Sequence, residues 1–236
     1  MDPVSEERKR VERVYGARRP GDLYDPSRSD VRARASARSE AWRRALRGVS
    51  HVLGTTLEVG CGTGDVLRWA IDTGASAAVG IDVLADRIGE VPRSHPSILA
   101  VRGDGQQLPL RPGSVDTVIC STLFSSVLDD SVAGRIASEI TRVLRTDGAI
   151  VWFDFFRDNP RNRHVRPITD ADLARLFPGF DRHLERAVLA PPLARRLEHL
   201  PRVARFLEGF RSLRTHYAGV LVRSNASGSP TRNPAP

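Results

Sequence analysis

Three glycines at alternate positions, Gly60, Gly62 and Gly64, follow the run Leu57-Glu58-Val59 and precede Asp65. Glycine lacks the Cβ that would obstruct a left-handed turn or a close ligand, so this spacing suits a tight strand-to-helix junction. At the carboxyl edge of a parallel sheet, such a junction holds the polar part of a nucleotide-like ligand. A dinucleotide fingerprint reads G-x-G-x-x-G, and Asp65 stands where its third glycine belongs. Asp65 and Glu58 are poor neighbours for a pyrophosphate, which disfavours an NAD-dependent oxidoreductase. No Gly-Lys-Ser/Thr follows, so a nucleoside-triphosphate loop is excluded. The two carboxylates favour a cofactor that carries positive charge and no phosphate.

Asp82 ends a second apolar run, Gly80-Ile81-Asp82, where its two oxygens can accept from both ribose hydroxyls. NAD sites use the same geometry, so this acid indicates a nucleoside without choosing the cofactor. Asp104 follows a third run in Gly103-Asp104-Gly105, placed to accept from the exocyclic amine of adenine. Aspartate is also common in surface turns. Two such acids, each just past a strand and in this order, fit the two ends of an adenosine.

The elements that must position these residues alternate as α/β. Strands are expected over 56–59, 77–81, 98–102, 115–120 and 149–155, short and apolar on both faces as in a helix-covered parallel sheet. Helices are expected over 65–73, 84–91 and 132–144, the last ended by Asp147-Gly148. Thr169 with Asp172 resembles a capping box and opens another helix, followed by strands over 183–189 and 216–222. Between those strands, 191–210 has helical apolar spacing broken by Pro201, which is long for a hairpin connection. It is either a substrate-site wall or the surface of a homodimer. Ahead of the sheet, 36–50 reads as a helix carrying Trp42, Ala45, Leu46 and Val49. Residues 1–50 therefore form a helical arm or lid, 51–223 the main domain, and 224–236 a disordered tail rich in Ser, Asn, Gly and Pro.

Composition narrows the function classes. No apolar run reaches transmembrane length, and the N-terminus is polar. Cys61 and Cys120 both fall in apolar segments, which argues against a disulfide framework and fits a reducing cytoplasm. No Cys/His spacing suggests a metal site. The formal charge of +8 is unevenly distributed. Residues 1–50 hold 13 basic and 8 acidic side chains, 51–156 hold 8 and 13, and 157–236 hold 15 and 7. The glycine-turn region is thus acidic. Among 36 basic residues Lys9 is the only lysine, which reads as genomic composition more than as a phosphate-binding stripe.

Taken in order, these motifs resemble the class I S-adenosylmethionine-dependent methyltransferases over roughly residues 50–156. The likeness is greatest to the small-molecule branch related to ubiquinone/menaquinone-type enzymes. Glu58-x-Gly60-x-Gly62-x-Gly64 matches that family's first motif, Asp82 its ribose acid and Asp104 its adenine-side motif. Residues 115–120 resemble its fourth strand. Thr146-Asp147-Gly148 departs mildly from the Pro-Gly-Gly common before the fifth.

The resemblance implies a Rossmann-like seven-stranded sheet with its last strand antiparallel, flanked by helices. S-adenosylmethionine is then the cofactor and S-adenosylhomocysteine the product. Gly60, Cys61, Gly62 and Gly64 would contact its methionine and ribose, with Glu58 orienting the ammonium. Asp82 and Val83 would hold the ribose. Gly103, Asp104, Gly105 and Gln106 would border adenine, with Leu108 beside them. Cys120 and Ser121 would pass near the sulfonium.

Methyl transfer from a sulfonium requires alignment and exclusion of water, and a base only where the acceptor keeps its proton. For a phenol or hydroxyl acceptor His164 is the first candidate base and Asp154 the second. Their alternatives are a plain surface histidine and a buried carboxylate paired with an arginine. Arg157, Arg161 and Arg163 are candidates for an anionic group on the substrate, or are exposed charges. Tyr15 and Tyr24 from the arm, with Phe124, Phe153, Phe155, Phe156 and Trp42, offer an aromatic wall, with one of Phe153 and Phe155 expected to face the opposite side of the sheet. These features favour methylation of a small natural-product-like molecule in secondary metabolism, with oxygen the first acceptor atom and nitrogen and carbon not separated from it. An RNA methyltransferase is the alternative, disfavoured because Ser121-Thr122-Leu123-Phe124 stands where an Asn/Asp-Pro-Pro-Tyr motif would be. A non-catalytic S-adenosylmethionine-binding partner protein is the other.

Overall fold

The computed structural model describes residues 3–17, 28–158, 162–190 and 209–224, with a few positions between 193 and 207. Tyr24, Arg161, most of the 191–210 segment and the 225–236 tail lie outside the described residues.

Two helices precede the sheet, α1 (Pro3–Gly16) and α2 (Ser29–Gly48). Helix α1 is polar and stabilised along its surface by Lys9–Glu6, Arg10–Glu7 and Arg8–Glu12 pairs at helical spacing. Helix α2 starts seven residues before the expected position, because Ser29–Ala35 contains no Gly or Pro to stop it. It buries Ala41, Trp42 and Leu46. The Trp42 indole N–H donates to the Trp152 carbonyl at 2.7 Å, fixing α2 on the sheet.

Then follow β1 (Thr55–Val59), α3 (Asp65–Asp72), β2 (Ala77–Asp82), α4 (Ala85–Ser94), β3 (Leu99–Arg102) and β4 (Val115–Ser121). A short 3-10 turn, Phe124–Ser126, leads to α5 (Asp130–Val143), β5 (Leu144–Phe155), α6 (Asp170–Leu176), β6 (Phe180–Leu189) and β7 (Arg214–Arg223). The seven strands form one sheet in the order β3-β2-β1-β4-β5-β7-β6. The first five are parallel, and β7 runs antiparallel between β5 and β6. This is the Rossmann-like methyltransferase sheet implied by the motifs. Its strand order reverses between β1 and β4, and open α/β sheets bind ligands at such a switch point.

The expected end of α5 is corrected. The helix stops at Val143, and Leu144 enters β5 directly by pairing with Val115. The register then shifts before Thr117 meets Ala149. Gly148 therefore caps no helix; a Cβ there would come within 2.9 Å of the Asp116 carbonyl oxygen. At α6 the Thr169 and Asp172 capping box is complete.

Strand alternation divides the core between two faces. Val118, Cys120 and Trp152 point towards α5 and α6, where they meet Ile136, Ile140, Phe124 and Phe177. Ile119, Val151 and Phe153 point towards α2 and α3, where Trp42 and Ala70 cover them. Gly219 lies in β7 between Trp152 of β5 and Leu184 of β6. A Cβ at Gly219 would collide with the His183 carbonyl oxygen and stand 2.9 Å from the Leu184 Cα. Gly219→Ala is therefore expected to destabilise the protein by about 1–3 kcal/mol through overpacking. Urea titration should show a lower midpoint at unchanged slope. An unshifted midpoint would contradict this close approach of β6 to β7.

Candidate active site

The glycine turn is built by the end of β2. The Gly60 and Cys61 N–H groups both donate to the Ile81 carbonyl, at 2.7 and 3.2 Å. The Gly62 N–H donates to Asp82 Oδ2 and the Leu84 N–H to Asp82 Oδ1, each at 2.9 Å. Gly60, Gly62 and Gly64 have φ of 76°, 53° and 88°, left-handed values that side chains resist. Gly64 caps α3. Each Asp82 oxygen keeps a second lone pair, so the ribose role remains open to it.

Two adjoining cavities occupy the switch point and share Gly60, Arg87, Ser121 and Thr122 as common wall. The first, of about 140 Å³, is bordered by Asp82, Val83, Gly103, Asp104 and Gly105. Its roof is the α1 face carrying Glu7, Arg8, Val11 and Tyr15. The Leu128 N–H donates to Glu7 at 2.7 Å, the Tyr15 hydroxyl donates to Ser126 Oγ at 2.7 Å, and Arg10 donates to the Ser126 carbonyl. Thr122, at the junction, holds a left-handed φ of 54°. Its N–H donates to the Phe153 carbonyl at 2.7 Å, and its carbonyl accepts from Ser126 Oγ at 3.0 Å. A β-branched residue in this region is a strained outlier of the kind that collects at functional sites.

The second cavity, of about 300 Å³, lies beyond Glu58, Cys61 and Gly62. Helix α2 supplies Val31, Arg34, Ala35 and Arg38 to it, and β5 supplies Phe153 and Phe155. These two phenylalanines are two residues apart in a strand and so share a face, which corrects the expectation that one of them turns to the opposite side. The Arg38 guanidinium lies 5.0 Å from the Trp42 ring centre and 5.6 Å from that of Phe153, with Nη1 3.4 Å from Ser121 Oγ. Behind the wall His216 stacks at 4.6 Å on Phe153 and 4.1 Å on Phe155. Burial, with the charges of Arg34 and Arg38, pushes its pKa down to about 3.

Glu58 tests whether the cofactor fits. It is 2% exposed, and its Oε2 has no hydrogen-bond partner. Burial, reinforced by Asp82 and Asp65 and opposed by Arg38, raises its pKa well above the ordinary carboxylate value. A carboxylate oxygen buried without a donor is costly and suits a cationic ligand. The methionine ammonium of S-adenosylmethionine supplies both the charge and the donors. The glycine turn and the two flanking acids match the rest of the molecule.

Most of the expected cofactor residues come together on these walls: Glu58, Gly60, Cys61, Gly62, Asp82, Val83, Gly103, Asp104, Gly105 and Ser121. Gln106 is one step removed, since its backbone N–H donates to Asp104 at 2.9 Å and its Oε1 accepts from Arg135. Three expectations are corrected by strand alternation and packing. Cys120 points away from the cavities into the α5 face, where Leu108 also packs. Phe124 is fully buried, stacked on Trp152 at 5.3 Å. Asp154 is fully buried beneath the 3-10 turn, accepting from the Ser125 and Phe155 N–H groups at 2.9 Å, with its pKa raised by burial to about 6. It secures the 3-10 turn, and among the described residues it forms no ion pair with an arginine.

The basic loop is placed elsewhere. His164 lies on neither cavity wall, and Arg163 is exposed. Phe156 stacks on Tyr217 with Arg157 and Arg186 over its ring. Tyr15 roofs the nucleoside cavity and not the acceptor side. Sequence reasoning missed Arg34 and Arg38. Their spacing with Ala35 and Trp42 along one helical face was the available signal.

Residues 56–148 match the family model described as a methyltransferase domain. No curated protein matches the sequence. Among solved structures, the chain superposes on 1,6-didemethyltoxoflavin-N1-methyltransferase of Burkholderia thailandensis, solved with 1,6-didemethyltoxoflavin and S-adenosylhomocysteine. The TM-score is 0.65 at 15% identity, over 95% of this chain and 92% of that one. An S-adenosylmethionine-dependent methyltransferase of Mesorhizobium loti gives 0.56 at 20% identity, over 76% and 96%. At these identities the likeness establishes the fold, and the family model establishes the methyltransferase domain.

Two outcomes are expected. Asp82→Ala removes charged hydrogen bonds worth about 1.5–3 kcal/mol each, so calorimetry should show S-adenosylhomocysteine affinity at least tenfold weaker; equal affinity contradicts the ribose role. For His216 the folded pKa is lowered, so below the ordinary 6.5 the unfolded chain binds a proton that the folded chain refuses until about pH 3. Its contribution to stability is therefore lost as pH falls through that window, by up to about 1.4 kcal/mol per pH unit. His216→Phe should flatten the urea-derived stability profile between pH 6.5 and 4. A profile parallel to the parent protein would refute the buried neutral imidazole.

Proposed function

We propose that the chain, a class I S-adenosylmethionine-dependent methyltransferase, methylates an oxygen atom of a small planar acceptor bound in the second cavity. The observation that carries this reading is the construction of that cavity. It is walled by Val31 and Ala35 of α2, Val66 of α3, and Phe153 and Phe155 of β5, directly beyond the Glu58 carboxylate. A partly enclosed cavity with an aromatic and aliphatic side suits a small ring system, whereas a polynucleotide needs a long open basic track. The Burkholderia thailandensis neighbour, solved with 1,6-didemethyltoxoflavin bound, supports a small-molecule acceptor.

When bound, the cofactor supplies a sulfonium-activated methyl group for in-line displacement. The chain's residues align and enclose. Asp82 and the Gly60–Gly64 backbone would hold its ribose and methionine parts, and Asp104, steadied by Gln106, would accept from the adenine amine. Glu58 holds the ammonium. Helices α1 and α2 close the two cavities and exclude water, which strengthens electrostatic contacts inside. Phe153 and Phe155, backed by His216, offer an apolar face to the acceptor. Cys61 and Cys120, both unbridged and buried, support a reducing, cytoplasmic setting.

Incubation with methyl-labelled S-adenosylmethionine and a host-cell extract tests this. The label should enter an RNase-resistant small-molecule fraction. Label in RNA, or cofactor binding with no transfer to any fraction, would overturn the reading.

A further inference from the structure

On the small-molecule reading above, we infer that the acceptor is a planar apolar carboxylic acid whose carboxylate is itself the nucleophile, held by Arg34 and Arg38. Two independent features of the acceptor cavity lead there. The first is the absence of a base on its described wall. The titratable groups there besides the arginines are Glu58, Cys61 and Asp65. Glu58 sits at the cofactor end. Burial raises the Cys61 thiol far above its usual value, so it is no thiolate at neutral pH. Asp65 is at the rim with a side chain 73% exposed. His164 and Asp154 are off the wall. Among the described lining residues a hydroxyl that keeps its proton at neutral pH meets no base, whereas a carboxylate arrives ionised.

The second feature is charge. Arg34 and Arg38 lie one turn apart on the same face of α2, and both border the cavity beside Phe153 and Phe155. Arg87 also borders this cavity. Guanidinium forks match a carboxylate through paired N–H donors, and the phenylalanine faces match a planar frame.

The step balances without a proton. One carboxylate oxygen forms the O–CH3 bond as the S–CH3 bond breaks, and the bonding pair stays on sulfur. The products are a neutral methyl ester and the neutral thioether S-adenosylhomocysteine. The ester has lost the charge the arginines hold, which favours its release.

The test titrates S-adenosylhomocysteine-loaded protein with 2-naphthoate, 2-naphthamide and methyl 2-naphthoate by calorimetry, for the parent chain and Arg34→Gln. The parent should bind the acid at least tenfold tighter than the amide or ester. Arg34→Gln should abolish that preference while S-adenosylhomocysteine affinity changes less than about threefold. Label transferred to the extract's small molecules should be released as volatile methanol by mild alkali. Equal binding of acid and amide, absence of binding by any probe, a preference that survives Arg34→Gln, or alkali-stable label would each overturn the inference. Label in RNA would instead overturn the small-molecule reading itself.

Discussion

The site depends on how the end of β2 grips the glycine turn. One carbonyl, that of Ile81, takes both the Gly60 and Cys61 N–H groups, and the Asp82 carboxylate takes that of Gly62. These bonds hold the first two of three alternate left-handed glycines in place. A side chain at any of the three would resist that backbone. The same carboxylate faces the nucleoside cavity, so the group that shapes the turn is also the one that would read the ribose. Loss of its charge therefore affects loop geometry and ligand recognition together.

The second organising constraint is the alternation of β4 and β5. Successive residues face opposite sides of the sheet, so a slip of one position changes a residue's role. Ser121, Phe153 and Phe155 reach the α2 side and border the cavities. Cys120, Trp152 and Asp154 face the other way into the core. Asp154 still matters to the site, because it secures the backbone of the turn that carries Thr122 and Ser126. Helix α2 then encloses the α2 side through Trp42 and its bond to the Trp152 carbonyl.

The cofactor half of this arrangement was legible in the sequence. A glycine-only turn and strand-end acids have few uses, and their order along the chain mirrors the sheet edge. The acceptor half was not. Its cations come from α2, far from the motifs, and Arg34 and Arg38 are indistinguishable by type from the other arginines. His164 and Arg163 stand out by composition alone, and neither borders the described cavities. Helix α5 ends at Val143, one residue before the expected 144, but the stop is the β-pairing of Leu144 with Val115 and not Asp147-Gly148.

The central claim is that a pocket of carboxylates around a glycine turn selects a sulfonium nucleoside over a dinucleotide. Calorimetric titration of the purified chain with S-adenosylmethionine and with NAD, under one set of conditions, tests it directly. The account predicts micromolar binding of S-adenosylmethionine and no heat with NAD. Binding of NAD with no response to S-adenosylmethionine or S-adenosylhomocysteine would contradict it.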